Sequence, residues 1–167
     1  MSLREAIQST LMVLLYLLLQ IFFMRNMVLF NYGFCFVYIA AILLLPVETD
    51  RMYLLLIAFG VGFVVDVFSN TFGMHAAASV LIAYLRPFVI RYQMESKGMD
   101  RIDIGMRSQG FISFLGYMFP LILIHHAVLF LAEINNMGMI LYSLVRIIAS
   151  AIFTLVFIII LELFSRR

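Results

Sequence analysis

Followed from one polar break to the next, the chain is a series of long apolar runs joined by short polar turns. Ala6 to Met24 is a first run, closed by Arg25-Asn26. Val28 to Val47 is a second, ended by Pro46 and the turn Glu48-Thr49-Asp50-Arg51, with Asn31, Tyr32 and Gly33 interrupting its start. Met52 to Phe68 is a third, followed by the five-residue turn Ser69 to Gly73, and Met74 to Ile90 is a fourth. After a polar stretch from Arg91 to Gly110 come Phe111 to Leu131 and, beyond the turn Glu133 to Asn136, Met139 to Phe164. A helix needs ~20 apolar residues to cross the hydrocarbon of a bilayer. The pattern therefore predicts an all-α polytopic membrane protein, six transmembrane helices in a single domain over residues 1–167. The sixth helix, at 1.5 Å per residue, is ~39 Å long against a hydrocarbon core of ~30 Å, so it is expected to tilt or project. Arg86-Pro87 is expected to break or kink the fourth, because Pro87 has no N–H for the carbonyl of Ala83.

Composition sharpens this picture. Hydrophobic residues make up 65% of the chain and charged residues 12%, with a mean hydropathy of +1.12, whereas soluble domains run near 45–50% and 25%. A water-soluble fold is excluded, and six spans leave only short connections. The net charge of +2 is too small and scattered for a nucleic-acid stripe. The lone thiol, Cys35, allows neither a disulfide framework nor a Cys metal cluster, so no metal or cofactor is expected. Arg4 before the first run is compatible with a signal peptide, but no small-x-small cleavage site precedes Arg25, so a retained helix is expected.

Orientation follows from Lys and Arg, which favour cytoplasmic loops. Six spans put Arg4, Arg51, Arg86, Arg91, Lys97, Arg101, Arg107, Arg166 and Arg167 on one side, and only Arg25 and Arg146 on the other. Both termini are thereby expected in the cytoplasm. Trp is absent, which leaves Tyr32, Tyr53, Tyr92 and Tyr142 as the interfacial belt.

Ionisable residues inside spans face protein or water and are functional candidates. Asp66 ends a stripe of small residues, Ala58-Gly62-Asp66, at spacing four. The next helix offers His75, Ser79 and Ala83 at the same spacing, so the two describe a tight hairpin with Asp66 and His75 at its mouth. Asp66, His75, His125, His126, Glu133 and Arg146 all fall in the outer half. A buried carboxylate there calls for a cation, with Arg146 the candidate by depth and His75 by sequence. Such a polar group is either a binding site or a pair that locks the bundle; alternatively Asp66 caps or snorkels at the interface. His125 and His126 point ~100° apart on a helix. One is expected to be a buried hydrogen-bonding residue and the other interfacial, with haem ligation alongside His75 the sharper alternative. Glu162 and Arg166 have the i, i+4 spacing of a surface pair. Met99, Ile102 and Met106 form a stripe that reads either as an amphipathic segment on the membrane or a partner, or as part of a solvated linker. No G-x-S-x-G, H-E-x-x-H or Walker loop is present, so an enzyme would have to rest on Asp66 and His75.

The run Gly62-Phe63-Val64-Val65-Asp66-Val67-Phe68-Ser69, followed by Gly73-Met74-His75-Ala76, resembles the rod shape-determining protein MreD family, in which a small residue, an Asp four on, a Ser three beyond and a Gly opening the next helix recur. Here these are Gly62, Asp66, Ser69 and Gly73. Length and six hydrophobic segments agree over the whole chain, while the sequence-specific likeness covers Ala58 to Pro87. Asn70-Thr71-Phe72 replaces the longer Pro-containing turn of many members. Glu48 to Arg51 and Arg86-Pro87 are similar to a Bacteroidota-type branch. The resemblance implies a non-enzymatic component of the bacterial inner membrane, N-in and C-in, in the cell-elongation machinery that maintains cell shape. The implied partners are the single-span protein MreC, contacted directly, the actin-like MreB, a SEDS polymerase and transpeptidase pair that makes peptidoglycan, and membrane lipids. It also implies a fold similar to the substrate-binding subunits of energy-coupling-factor transporters. Substrate capture for such a transporter is the competing function.

Overall fold

The computed structural model describes residues 3–133 and 140–164, and the architecture is mostly helical. Helix α1 (Leu3–Leu19) continues through a π-helical turn at Gln20–Met24. It is followed by a hairpin of two short strands, β1 (Val28–Leu29) and β2 (Gly33–Phe34), and a one-turn helix α2 (Ile39–Leu43). Then come α3 (Arg51–Ser69), α4 (Met74–Lys97), the short α5 (Met106–Gln109), α6 (Phe111–Ala132) and α7 (Ile140–Phe164). Four helical stretches are long and apolar enough to cross a membrane: Arg4–Met24, Arg51–Ser69, Phe111–Ala132 and Ile140–Phe164. Their outward faces are apolar too, with Leu11, Phe63, Val67 and Ile152 all exposed, as expected of helices hydrophobic all round. At one end of the bundle, called the basic end below, Glu5, Glu48, Arg101 and Leu161 meet around a single groove. Asp50 caps α3 there, accepting from the N–H groups of Met52 and Tyr53.

The second predicted helix does not form. Residues 28–47 are instead a strap made of a hairpin, a short irregular stretch at 35–36, and turns from Phe36 onward that lead into the single turn of α2. The hairpin pairs Val28 with Phe34 and Leu29 with Gly33, and its tight turn holds Phe30 and Asn31 at positive φ, closed by the Tyr32 N–H on the Leu29 carbonyl. The strap then runs through the middle of the bundle beside α4. Tyr38 lies against His75, and Leu45 lies against Arg86, eleven residues or about 16 Å further along that helix. Tyr38 to Leu43 have no exposed surface at all. The reason for the missed expectation is physical: a segment wrapped on every side by helices is as uniformly apolar as a helix wrapped by lipid.

Two further expectations are corrected at α4. The helix does not break at Arg86-Pro87 but continues to Lys97, where Gly98 at φ +60° caps it. Pro87 sits well inside, and α6 likewise accommodates Pro120. The stripe Met99, Ile102, Met106 forms no continuous amphipathic helix. Ile102 and Met106 are buried in the bundle core while Met99 is exposed, so this stretch plugs the protein's own basic end. The expected turn at Ile134 to Asn136, Met139, and the pairing of Glu162 with Arg166 lie outside the described residues.

Candidate functional site

Asp66 sits in the last turn of α3, and the chain needs something from it that the sequence does not spell out. Helix α4 begins after Gly73, which holds φ +79° and has no side chain with which to cap the first turn. Asp66 supplies the cap across the hairpin. Its Oδ1 accepts from the His75 N–H at 3.1 Å and its Oδ2 from the Ala76 N–H at 2.8 Å, while the Thr71 hydroxyl donates to Oδ1. The Asp66 carbonyl in turn accepts the Asn70 and Thr71 N–H groups that close α3. The carboxylate is thus satisfied by backbone dipoles at a helix N-terminus. Close approach is what Gly62 provides: a Cβ there would lie 2.5 Å from Ala76 Cα, 2.6 Å from the His75 carbonyl oxygen and 2.7 Å from Ala76 N. Ala58, Gly62, Ser79 and Ala83 are all buried along this α3–α4 seam, and Ser69 is half-buried at the end of α3.

The expected ion pair of Asp66 with Arg146 or His75 is not formed. Arg146 bridges instead to Glu133, at 3.2 Å, and its guanidinium lies over the rings of Phe130 (4.4 Å), Phe34 (4.9 Å) and Tyr142 (5.7 Å). His75 meets Asp66 through its backbone N–H alone, and its ring turns the other way. Among the described residues Asp66 has no cationic partner. It follows that Asp66→Asn, which keeps one acceptor oxygen but points an amide donor at a backbone N–H, lowers stability by about 1–2 kcal/mol. A double-mutant cycle with Arg146→Gln, read from thermal unfolding in detergent micelles, is expected to be additive; coupling above about 1 kcal/mol would restore the ion-pair reading.

The histidines turn inward to the strap. The Tyr38 hydroxyl lies 2.9 Å from His75 Nδ1 and 2.7 Å from His125 Nε2. It has one proton, so it donates to one ring and accepts from the other. His125 Nδ1 is buried with no partner among the described residues. His126 is also fully buried, correcting the expectation of an interfacial ring: Nδ1 donates to the Ile122 carbonyl at 2.8 Å, and Nε2 lies 3.2 Å from the Thr154 hydroxyl. No group of three or more His, Cys, Asp or Glu among the described residues is placed to hold a metal ion.

Other residues complete this interior; Gln20, Tyr38, Tyr117, Ser150 and Thr154 went unremarked in the sequence, and Arg86 was noted only for its charge and its place before Pro87. Extended backbone inside an apolar bundle needs a partner for each N–H and C=O. Ser150 accepts from the Phe34 N–H at 2.9 Å, and Thr154 accepts from the Phe36 N–H at 3.0 Å. Gln20 donates to the Cys35 carbonyl at 3.1 Å and accepts from the Tyr38 N–H at 3.4 Å. It is carried by the π-helical turn, where the Arg25 N–H reaches back to the Gln20 carbonyl. At the basic end, Arg86 is 1% exposed. Its Nε donates to the Tyr117 hydroxyl at 2.9 Å and its Nη2 to the carbonyls of Leu45 and Pro46, while Tyr117 donates to the Leu43 carbonyl at 2.7 Å. The available signal was the spacing Ser150-x-x-x-Thr154 on one helical face.

Most of these groups are engaged by backbone or by another buried side chain; His125 Nδ1, Ser79 Oγ and Arg146 Nε are buried without a partner among the described residues. Compared with known protein families, curated proteins and solved structures, the chain matches none.

Proposed function

We propose that this chain is a non-catalytic scaffold of the MreD kind, a component of the bacterial inner membrane that binds the single-span protein MreC and helps position peptidoglycan synthesis by the cell-elongation machinery. In this reading the strap at residues 28–47 is the second of six crossings, with α1, α3, α4, α6 and α7 as the others, and the basic end faces the cytoplasm. The observation that carries the proposal is the convergence of Gly62, Asp66 and Gly73 on one lock. The residues of the family-like motif set the contact of α3 with α4 and cap α4, a role suited to presenting a fixed surface. Substrate capture for an energy-coupling-factor type transporter, the competing reading, would recruit the same outer polar residues to a ligand. The Asp66 carboxylate, His125 Nε2 and the Arg146–Glu133 pair are already engaged within the protein.

Affinity purification of the tagged chain from its native membrane in mild detergent is the test. MreC, with MreB or the polymerase and transpeptidase pair, is expected among the recovered proteins, and neutralising Asp66 is expected to weaken that recovery and disturb cell shape. Recovery of transporter ATPases with no elongation protein would defeat the proposal.

A further inference from the structure

Away from the Asp66 lock, a groove of about 750 Å³ runs between α1 and α7 and over the end of the strap at the basic end. Its wall follows α1 from Glu5 to Leu19, a length of about 21 Å. Leu11 and Leu15 line it and are 61% and 56% exposed, because α1 leans on the bundle by a narrow face around Met12 and Tyr16. The mouth is acidic. Glu48, Asp103 and Glu162 line it with one basic residue, Arg101, which is held by Glu48 at 2.8 Å. Arg107 nearby is directed to the Leu163 carbonyl. Glu162 is only 4% exposed and lines the groove.

We infer that this groove seats a transmembrane helix of a partner protein, apolar along its length and carrying Lys or Arg at its cytoplasmic end. The inference rests on the scaffold reading above and adds the place and chemistry of the contact. The length of the groove suits a helix that follows α1 across most of a ~30 Å core. The acidic mouth selects its charge: a span entering from the cytoplasm carries basic residues at that level, and a buried carboxylate gains a charge-assisted bond from them. An anionic lipid headgroup would be repelled by the same carboxylates.

Disulfide trapping on the full chain tests this. Leu15→Cys in a Cys35→Ala background is co-expressed with MreC bearing single cysteines along its span, and complex formation is followed by co-purification. Trapping at Leu15 with a period of three to four residues is expected, falling at least 10-fold with Glu162→Gln and recovering when Glu162→Lys is matched by a Lys→Glu or Arg→Glu change in MreC. An intact complex that does not trap at Leu15 overturns the groove assignment and leaves the scaffold reading standing. Absence of any complex overturns both. Trapping to a second copy of this chain, or retention of lipid in the groove with trapping indifferent to Glu162, also overturns the assignment.

Discussion

Replacing Arg86 with methionine is expected to destabilise the folded protein by about 3–6 kcal/mol, from the loss of two buried hydrogen bonds made by a charged group at about 1.5–3 kcal/mol each. Methionine fills similar volume, so the loss is polar. The hydroxyl of Tyr117 and the carbonyl of Leu45 lose a buried donor and the Pro46 carbonyl a partly buried one, and a buried acceptor left unsatisfied costs about 1–3 kcal/mol. The thermal unfolding midpoint in micelles should fall by the order of 10 °C. Arg86→Lys should lie between, since one ammonium cannot reproduce the planar fork that reaches Tyr117 and the strap together. A midpoint unchanged in Arg86→Met would mean that the strap does not depend on this guanidinium.

Gly62→Ala is expected to be nearly as severe, although it adds a single methyl. The atoms it meets are backbone atoms of α4, which cannot rotate away. The two helices must separate, and separation lifts the Asp66 carboxylate from the His75 and Ala76 N–H groups. Overpacking at about 1–3 kcal/mol joined to loss of a cap at about 0.5–2 kcal/mol gives a loss of about 1.5–5 kcal/mol. Both changes act on one contact, so Gly62→Ala with Asp66→Asn should destabilise by less than the sum. Gly60 is the internal control: nothing lies within 4 Å of a Cβ there, and Gly60→Ala should be neutral or stabilising by up to ~1 kcal/mol. Equal effects at the two glycines would remove the close-approach argument.

The long helices were legible because a helix exposed to lipid must be apolar over its whole length, and the bounds of α3, α6 and α7 fall within a residue or two of the apolar runs. The strap was not legible, because burial by protein demands the same residues as burial by lipid. Asn31, Tyr32 and Gly33 marked where it departs from a helix, and they form the hairpin turn and the start of β2. Charges drew the functional expectation to an ion pair, yet the partners of Asp66 are backbone N–H groups, which no letter in a sequence represents. Ser150, Thr154 and Gln20 escaped notice for a related reason. A hydroxyl or amide in a helix commonly satisfies itself on its own backbone, so its reach to a neighbouring segment is visible only once that segment is placed.

Residue-resolved amide hydrogen exchange on the protein in micelles, with and without Thr154→Val, most directly tests the central claim that a strap interrupted by non-helical backbone is held inside the bundle by side chains of the surrounding helices. The Phe36 N–H, 3.0 Å from the Thr154 hydroxyl, should be protected in the unaltered chain and exchange at least 10-fold faster in the variant, with the amides of α7 unchanged. If Phe36 exchanges at the same rate in both, as it would with its hydrogen bond inside a regular helix, the strap and the scaffold built around it are contradicted.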